Sequence, residues 1–253
     1  MSANSTYITI LTVLTTNVPM IINFLTIILV TIGGAGNLIT FTAARLRSNA
    51  CVFYLLCASV LQIPSVLFAI PTRLALDNFG DDLERRSMIF CKLRYYLALT
   101  LPQLVTYYML LAILDRCLTT SNNVAIRSWS QLKIARRNSF ILFFIIAAMN
   151  IHVLVFYEIR QNSCQISSGK NYTIFFTVYL SVIITLLPHF LMFIFALITM
   201  NNLKKTRRRV LPTSSTNNNS QVKRLESQLI LVRTILSVPI IHSFFVLRFF
   251  SSK

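Results

Sequence analysis

Asp115 and Arg116 stand side by side, with Cys117 next, where a long apolar stretch gives way to a polar one. An adjacent acid and base at the end of a helix reads, taken alone, as a snorkelling pair at a membrane edge. The other groups capable of chemistry are scattered. His152, His189 and His242 lie in three separate apolar stretches at no metal-ligand spacing. Asp81, Asp82 and Glu84 cluster, but no second set of carboxylates accompanies them, so they read as a solvated loop. Cys51 and Cys57 fall inside an apolar stretch and read as buried thiols. Five Cys in 253 residues do not make a disulfide framework. No Gly-rich phosphate loop, H-E-x-x-H or G-x-S-x-G motif occurs. These residues point to no enzyme, no cofactor and no metal.

The elements that would position these groups are set by composition. The chain is 55% hydrophobic and only 12% charged, with a mean hydropathy of +0.66. A soluble domain carries roughly 25% charged residues. That shortfall excludes a soluble enzyme, a secreted disulfide-rich module and a disordered tail. Apolar stretches near the ~20 residues that cross a bilayer recur along the chain. They are continuous, whereas barrel strands alternate over about ten residues. The expected fold is all-α, a membrane-spanning helical bundle with five clear helices and an incomplete sixth. A single transmembrane unit covers residues 1–253, with helices at about 19–44, 51–76, 90–116, 138–158, 172–200 and 228–250 and a basic loop at 201–227.

The net charge of +17 would ordinarily raise nucleic acid as a partner. The cations sit instead in loops between apolar stretches, so the lipid bilayer is the expected partner and nucleic acid is not. The loops and edges after stretches one, three and five hold fifteen Lys and Arg: Arg45 and Arg47; Arg116, Arg127, Lys133, Arg136 and Arg137; Lys204, Lys205, Arg207, Arg208, Arg209, Lys223, Arg224 and Arg233. The other side holds seven, namely Arg73, Arg85, Arg86, Lys92, Arg94, Arg160 and Lys170. The richer side is expected to be cytoplasmic, which puts the N-terminus outside. Sequons at Asn4 and Asn171 fall on the expected outer face and are candidate glycosylation sites; a third at Asn218 falls inside. No basic region precedes the first apolar run, so no cleaved signal peptide is expected.

Position gives the acid–base pair more meaning. Cys91 opens the third stretch and Arg116 lies 25 residues later, about 37 Å along a helix and a match to one tilted crossing. Cys164 lies between stretches four and five on the same expected side as Cys91. A Cys at the outer head of the third helix, an Asp-Arg-Cys triplet at its foot and a Cys in the next outer loop together resemble the rhodopsin-like G-protein-coupled receptors. Gly36-Asn37 in the first helix and Pro188 in the fifth are similar too. The segment Arg127-Ser128-Trp129-Ser130-Gln131-Leu132-Lys133 resembles the second inner loop of certain invertebrate orphan receptors of the peptide type. The resemblance covers residues 33 to about 200.

The resemblance implies a plasma-membrane, multi-pass receptor that passes the signal of an extracellular ligand to a heterotrimeric G protein. It implies a Cys91–Cys164 disulfide, in keeping with the shared outer placement of the two residues. It implies that Asp115 holds Arg116 at rest, with Asp115, Arg116 and Cys117 forming the coupling switch. Asn37, Gln62, Pro188 and Pro239 occupy helix-packing positions. Ala98 stands where amine-binding members carry an Asp for the ligand ammonium, so a small cationic amine is not expected. Tyr95, Leu99 and Gln103 follow on one face and offer either a wall for a peptide or plain packing against neighbouring helices.

There are also departures. Cys117 replaces the usual Tyr, Gln62 the usual Asp, and Ala196 a usual Tyr; Trp129 is the only Trp; no Asn-Pro-x-x-Tyr and no seventh apolar stretch occur. The sixth stretch has fourteen residues between Arg233 and Arg248. On that ground the chain resembles a receptor cut short, not expected to couple by itself. The alternatives are a non-signalling receptor fragment or a small transporter or channel subunit. Against the latter, the first five stretches carry almost no ionisable residue at mid-depth and show no internal repeat.

Overall fold

The computed structural model describes residues 18–43, 46, 48–79, 87–121, 123–160, 163–166 and 169–210. The expected sixth stretch with Pro239, the remainder of the basic loop, and Asn4 lie outside them. Helix α1 spans Val18–Thr42, α2 Ala50–Phe79 and α3 Met88–Thr119. A short α4, Val124–Arg127, precedes α5, Leu132–Met149, and α6, Ile151–Phe156. Strands β1 (Tyr157–Arg160) and β2 (Ser163–Ile166) follow, then α7 (Lys170–Val178), a π-helical segment Tyr179–Leu186, and α8 (Leu187–Val210). Five runs are long and apolar enough to cross a membrane: Met20–Thr42, Ala50–Thr72, Met88–Thr119, Leu132–Phe156 and Lys170–Lys205. The architecture is a helical bundle.

Helix α3 is its axis. Ser87 caps it, the hydroxyl accepting from the Phe90 N–H at 3.3 Å. Against α3 pack α2, α5, α6, α8 and β1. Two apolar clusters result. Cys51, Tyr54, Leu104, Tyr108, Ile113, Ala135, Ile146 and Met192 fill the half toward Asp115. Cys91, Tyr95, Leu99, Val153, Tyr157, Phe176 and Tyr179 fill the half toward Cys91. Helix α1 packs on α2 and leaves most of its apolar side chains exposed, a surface suited to hydrocarbon rather than water.

The observed elements depart from the expected boundaries in three places. The fourth helix begins at Leu132, not 138, and α8 continues through the start of the expected basic loop to Val210. The sequence reading stopped each helix at its charges, whereas the helices continue through Lys133, Arg136, Arg137, Lys204 and Lys205, all of which are exposed. The fourth helix also ends before 158. Tyr157 turns extended (φ −94°, ψ 132°), and β1 pairs antiparallel with β2, placing Ile159 opposite Cys164. A small two-stranded ribbon is thus added to the all-α expectation.

Proline shapes the last crossing. Pro188 is buried and has no N–H to donate. In the π register just before it, the Leu187 N–H donates to the Val182 carbonyl, five residues back. The next carbonyl in that register, Ile183, would be left without a partner. The Tyr107 hydroxyl of α3 donates to it at 2.9 Å, so a phenol from the neighbouring helix replaces the bond that proline cannot make.

Candidate functional site

Three levels along α3 carry the polar groups. At one end, Cys91 and Cys164 form a disulfide with Cα atoms 5.9 Å apart, which fixes β2 to the head of α3. Tyr95, one turn along, stacks on Tyr157 of β1 with ring centroids 4.5 Å apart, and Tyr157 meets Phe176 of α7 edge-on at 6.1 Å. The Arg94 guanidinium carbon lies 5.4 Å from the centre of the Tyr95 ring, within cation–π range. Ribbon, α3 and α7 are therefore joined by one bond and a chain of rings.

At mid-length, Asn150 occupies the break between α5 and α6. Its Nδ2 donates to Gln103 Oε1 at 2.7 Å and to the Ile146 carbonyl at 3.0 Å, and its Oδ1 accepts from the Tyr179 hydroxyl at 3.0 Å. Gln103 and Asn150 are both 0% exposed. In a bundle surrounded by lipid, such hydrogen bonds hold helices together where apolar burial does not. Two further α3 tyrosines reach backbone carbonyls on α5: Tyr96 to Ala147 and Tyr108 to Ser139, each at 3.1 Å.

At the far end, Asp115 is 4% exposed. Its Oδ1 accepts from the Ser130 hydroxyl, which ties the loop after α4 back onto α3. Its Oδ2 and the Arg116 Nε have no hydrogen-bond partner. No ion pair joins Asp115 to Arg116 among the described residues. The expected restraint of Arg116 by its neighbour is therefore replaced by a restraint of Asp115 by Ser130. The geometry explains why: adjacent positions on a helix do not face each other, whereas a side chain from another segment can approach the acid directly. Arg116 and Cys117 are half-buried beside it.

The remaining expected residues fall as follows. Tyr95, Ala98, Leu99 and Gln103 are all buried. Tyr95 and Leu99 pack in the apolar cluster with Val153 and Tyr157, and Gln103 is bonded to Asn150. Asn37 is exposed rather than packed. The close approach on α1 occurs instead at Gly34, where an added Cβ would stand 2.8 Å from Ile63 Cγ1 of α2. Gln62 is half-buried with its Oε1 unpartnered. Asn171 is exposed in the first turn of α7. No group of three or more His, Cys, Asp and Glu suited to a metal occurs among the described residues.

Sequence reasoning missed Ser130, Asn150, Tyr107, Tyr179 and Gly34. Asn150 had a usable signal, a lone amide within an apolar stretch, since a polar side chain in a membrane span needs an internal partner. The arrangement sets three polar levels along α3: a disulfide-anchored ribbon at one end, a buried amide–phenol network in the middle, and a carboxylate held by a loop hydroxyl at the other. No protein-family model matches the chain, and no curated protein matches it.

Proposed function

We propose that this chain is a receptor of the rhodopsin-like, G-protein-coupled kind, set in the plasma membrane with its N-terminus outside and responding to an extracellular ligand of peptide type. The observation that carries the reading is the double tethering of α3. One helix is bonded by Cys91 to a ribbon at one membrane face. About 36 Å away, by helical rise over the 24 residues to Asp115, it presents an acid, a base and a loop that holds the acid. A ligand that displaces the ribbon acts on the head of α3. The Gln103–Asn150–Tyr179 network ties that movement to two neighbouring crossings. Release of Ser130 from Asp115 then frees the inner loop and opens the end of α3 that carries Arg116 to a G protein, a two-state element that the ligand biases. Ala98, with no carboxylate to offer a cationic amine, supports the peptide part of the reading, and the exposed Asn171 sequon, at the Cys91 end of the bundle and open to glycosylation, supports the orientation.

The experiment is guanine-nucleotide exchange in membranes carrying the 253-residue chain or a version extended with an intact seventh helix, with each class of Gα subunit added in turn. The extended version is expected to raise exchange above membranes without the chain, the 253-residue chain alone is not, and Arg116→Ala in the extended version should return exchange to that baseline at equal surface expression. Exchange at baseline for the extended version with every class, or unaltered exchange in its Arg116→Ala variant, overturns the reading.

A further inference from the structure

The loop between α3 and α5 displays apolar side chains that no described residue covers. Val124 is 70% exposed, Ile126 41% and Trp129 62%. They are held there by structure. Asn123 caps α4, its Oδ1 accepting from the Ala125 N–H at 2.9 Å; the Trp129 N–H donates to the Ile126 carbonyl at 3.2 Å; and Ser130 anchors the loop to the buried Asp115. A soluble loop gains nothing from presenting an indole and two branched aliphatic groups to water. The connectivity gives the level of the loop: it joins the end of one crossing at Thr119 to the start of the next at Leu132, so it lies at a membrane boundary, the depth at which Trp side chains concentrate.

Charge then selects the surface. Arg127, Lys133, Arg136 and Arg137 flank the loop and are exposed, as are Lys204 and Lys205 at the same end of the bundle. Among the described residues the carboxylate at this end is Asp115, which is buried and bonded to Ser130. A cationic rim around an apolar tip complements anionic phospholipid: headgroups neutralise the guanidinium and ammonium groups while the indole and aliphatic side chains enter the acyl boundary.

We propose that residues 124–129 form an interfacial anchor that inserts Val124, Ile126 and Trp129 into an anionic leaflet, with Arg127, Lys133, Arg136 and Arg137 gripping its headgroups. The anchor fixes the loop that carries Ser130, so the lipid composition of that leaflet bears directly on the Asp115–Ser130 contact. This inference rests on the membrane-spanning bundle and not on the receptor reading.

Trp129 is the only tryptophan in the chain, so the unaltered protein carries its own probe. The purified full chain is placed in nanodiscs of phosphatidylcholine alone and of phosphatidylcholine with phosphatidylserine. The expected result is blue-shifted emission, quenching by lipids brominated in the acyl chain, weak quenching by aqueous acrylamide, and a strengthening of all three with phosphatidylserine. A chain carrying Arg127→Gln, Lys133→Gln, Arg136→Gln and Arg137→Gln, with helicity retained by circular dichroism, is expected to lose the phosphatidylserine-dependent part. Should that variant not fold, the wild-type measurements decide alone. Water-like emission with full acrylamide access in both nanodiscs overturns the proposal, as does undiminished phosphatidylserine dependence in the folded variant. Protection that develops only when a heterotrimeric G protein is added would also overturn it and assign the surface to a protein partner.

Discussion

Asn150 donates to Gln103 over 2.7 Å between two fully buried side chains that lie 47 residues apart in sequence. The same Asn150 accepts from Tyr179 at 3.0 Å, so one amide joins three crossings. Asn150→Leu leaves the Gln103 oxygen and the Tyr179 hydroxyl without that partner, and the expected loss is about 1–3 kcal/mol. In the double variant Gln103→Leu/Asn150→Leu much of that loss should be recovered, because both orphaned partners of the short bond are gone. Thermal denaturation of the purified bundle in detergent measures both; additive losses would contradict the network.

Tyr107→Phe removes the donor that serves Ile183 ahead of Pro188. The expected cost is on the order of 0.6–1.7 kcal/mol, the range for a hydrogen bond between membrane helices. In a Pro188→Ala background the restored backbone N–H can serve that carbonyl, so the same substitution should cost less. A double-mutant cycle reads the difference, and a cost independent of residue 188 would show that the phenol does not replace the proline's missing bond.

Gly34→Val should force α1 away from Ile63 and destabilise the α1–α2 pair by roughly 1–3 kcal/mol, as overpacking does. Ile63→Ala opens that space and should partly rescue the variant. Gly33→Ala and Gly36→Ala, whose added methyl groups meet nothing within 4 Å, should be near neutral. Proteolytic susceptibility of the α1–α2 connection together with thermal stability checks all four.

Cys164→Ser should release β2 from α3 while leaving the helical crossings intact. The expected loss is at most about 4.4 kcal/mol, the chain-entropy value for a loop closed over a separation of 73 residues, and less where the helices already limit the reduced chain. The ribbon should become the first site cut by a protease added to the Cys91 side. Cutting rates equal to those of the oxidised wild type would contradict the tethering.

The five crossings were legible because length and apolar continuity alone decide whether a segment can span a bilayer. The ribbon was not: its strands have four residues each, and the first runs on directly from an apolar stretch that reads as helix. The π segment also left no local signal, since Tyr107, far away in sequence, satisfies the carbonyl that an α-helical register would treat differently. Gly36-Asn37 drew attention on α1, but which face of α1 packs is set by α2, and Ile63 selects Gly34. At the coupling end the sequence singled out Asp115 and Arg116 and paired them by adjacency. The fold instead pairs Asp115 with Ser130, a residue within the quoted loop segment whose approach to α3 depends on the turn after α4.

Basal guanine-nucleotide exchange by Ser130→Ala, beside wild type at equal surface expression and with both extended by the same intact seventh helix, tests most directly the claim that the Asp115–Ser130 contact restrains a G-protein-coupling switch. Without the hydroxyl nothing on the loop holds Asp115 Oδ1, so basal exchange should rise, and Asp115→Asn should raise it in the same direction. Basal exchange that is unaltered or lower in Ser130→Ala would contradict the account.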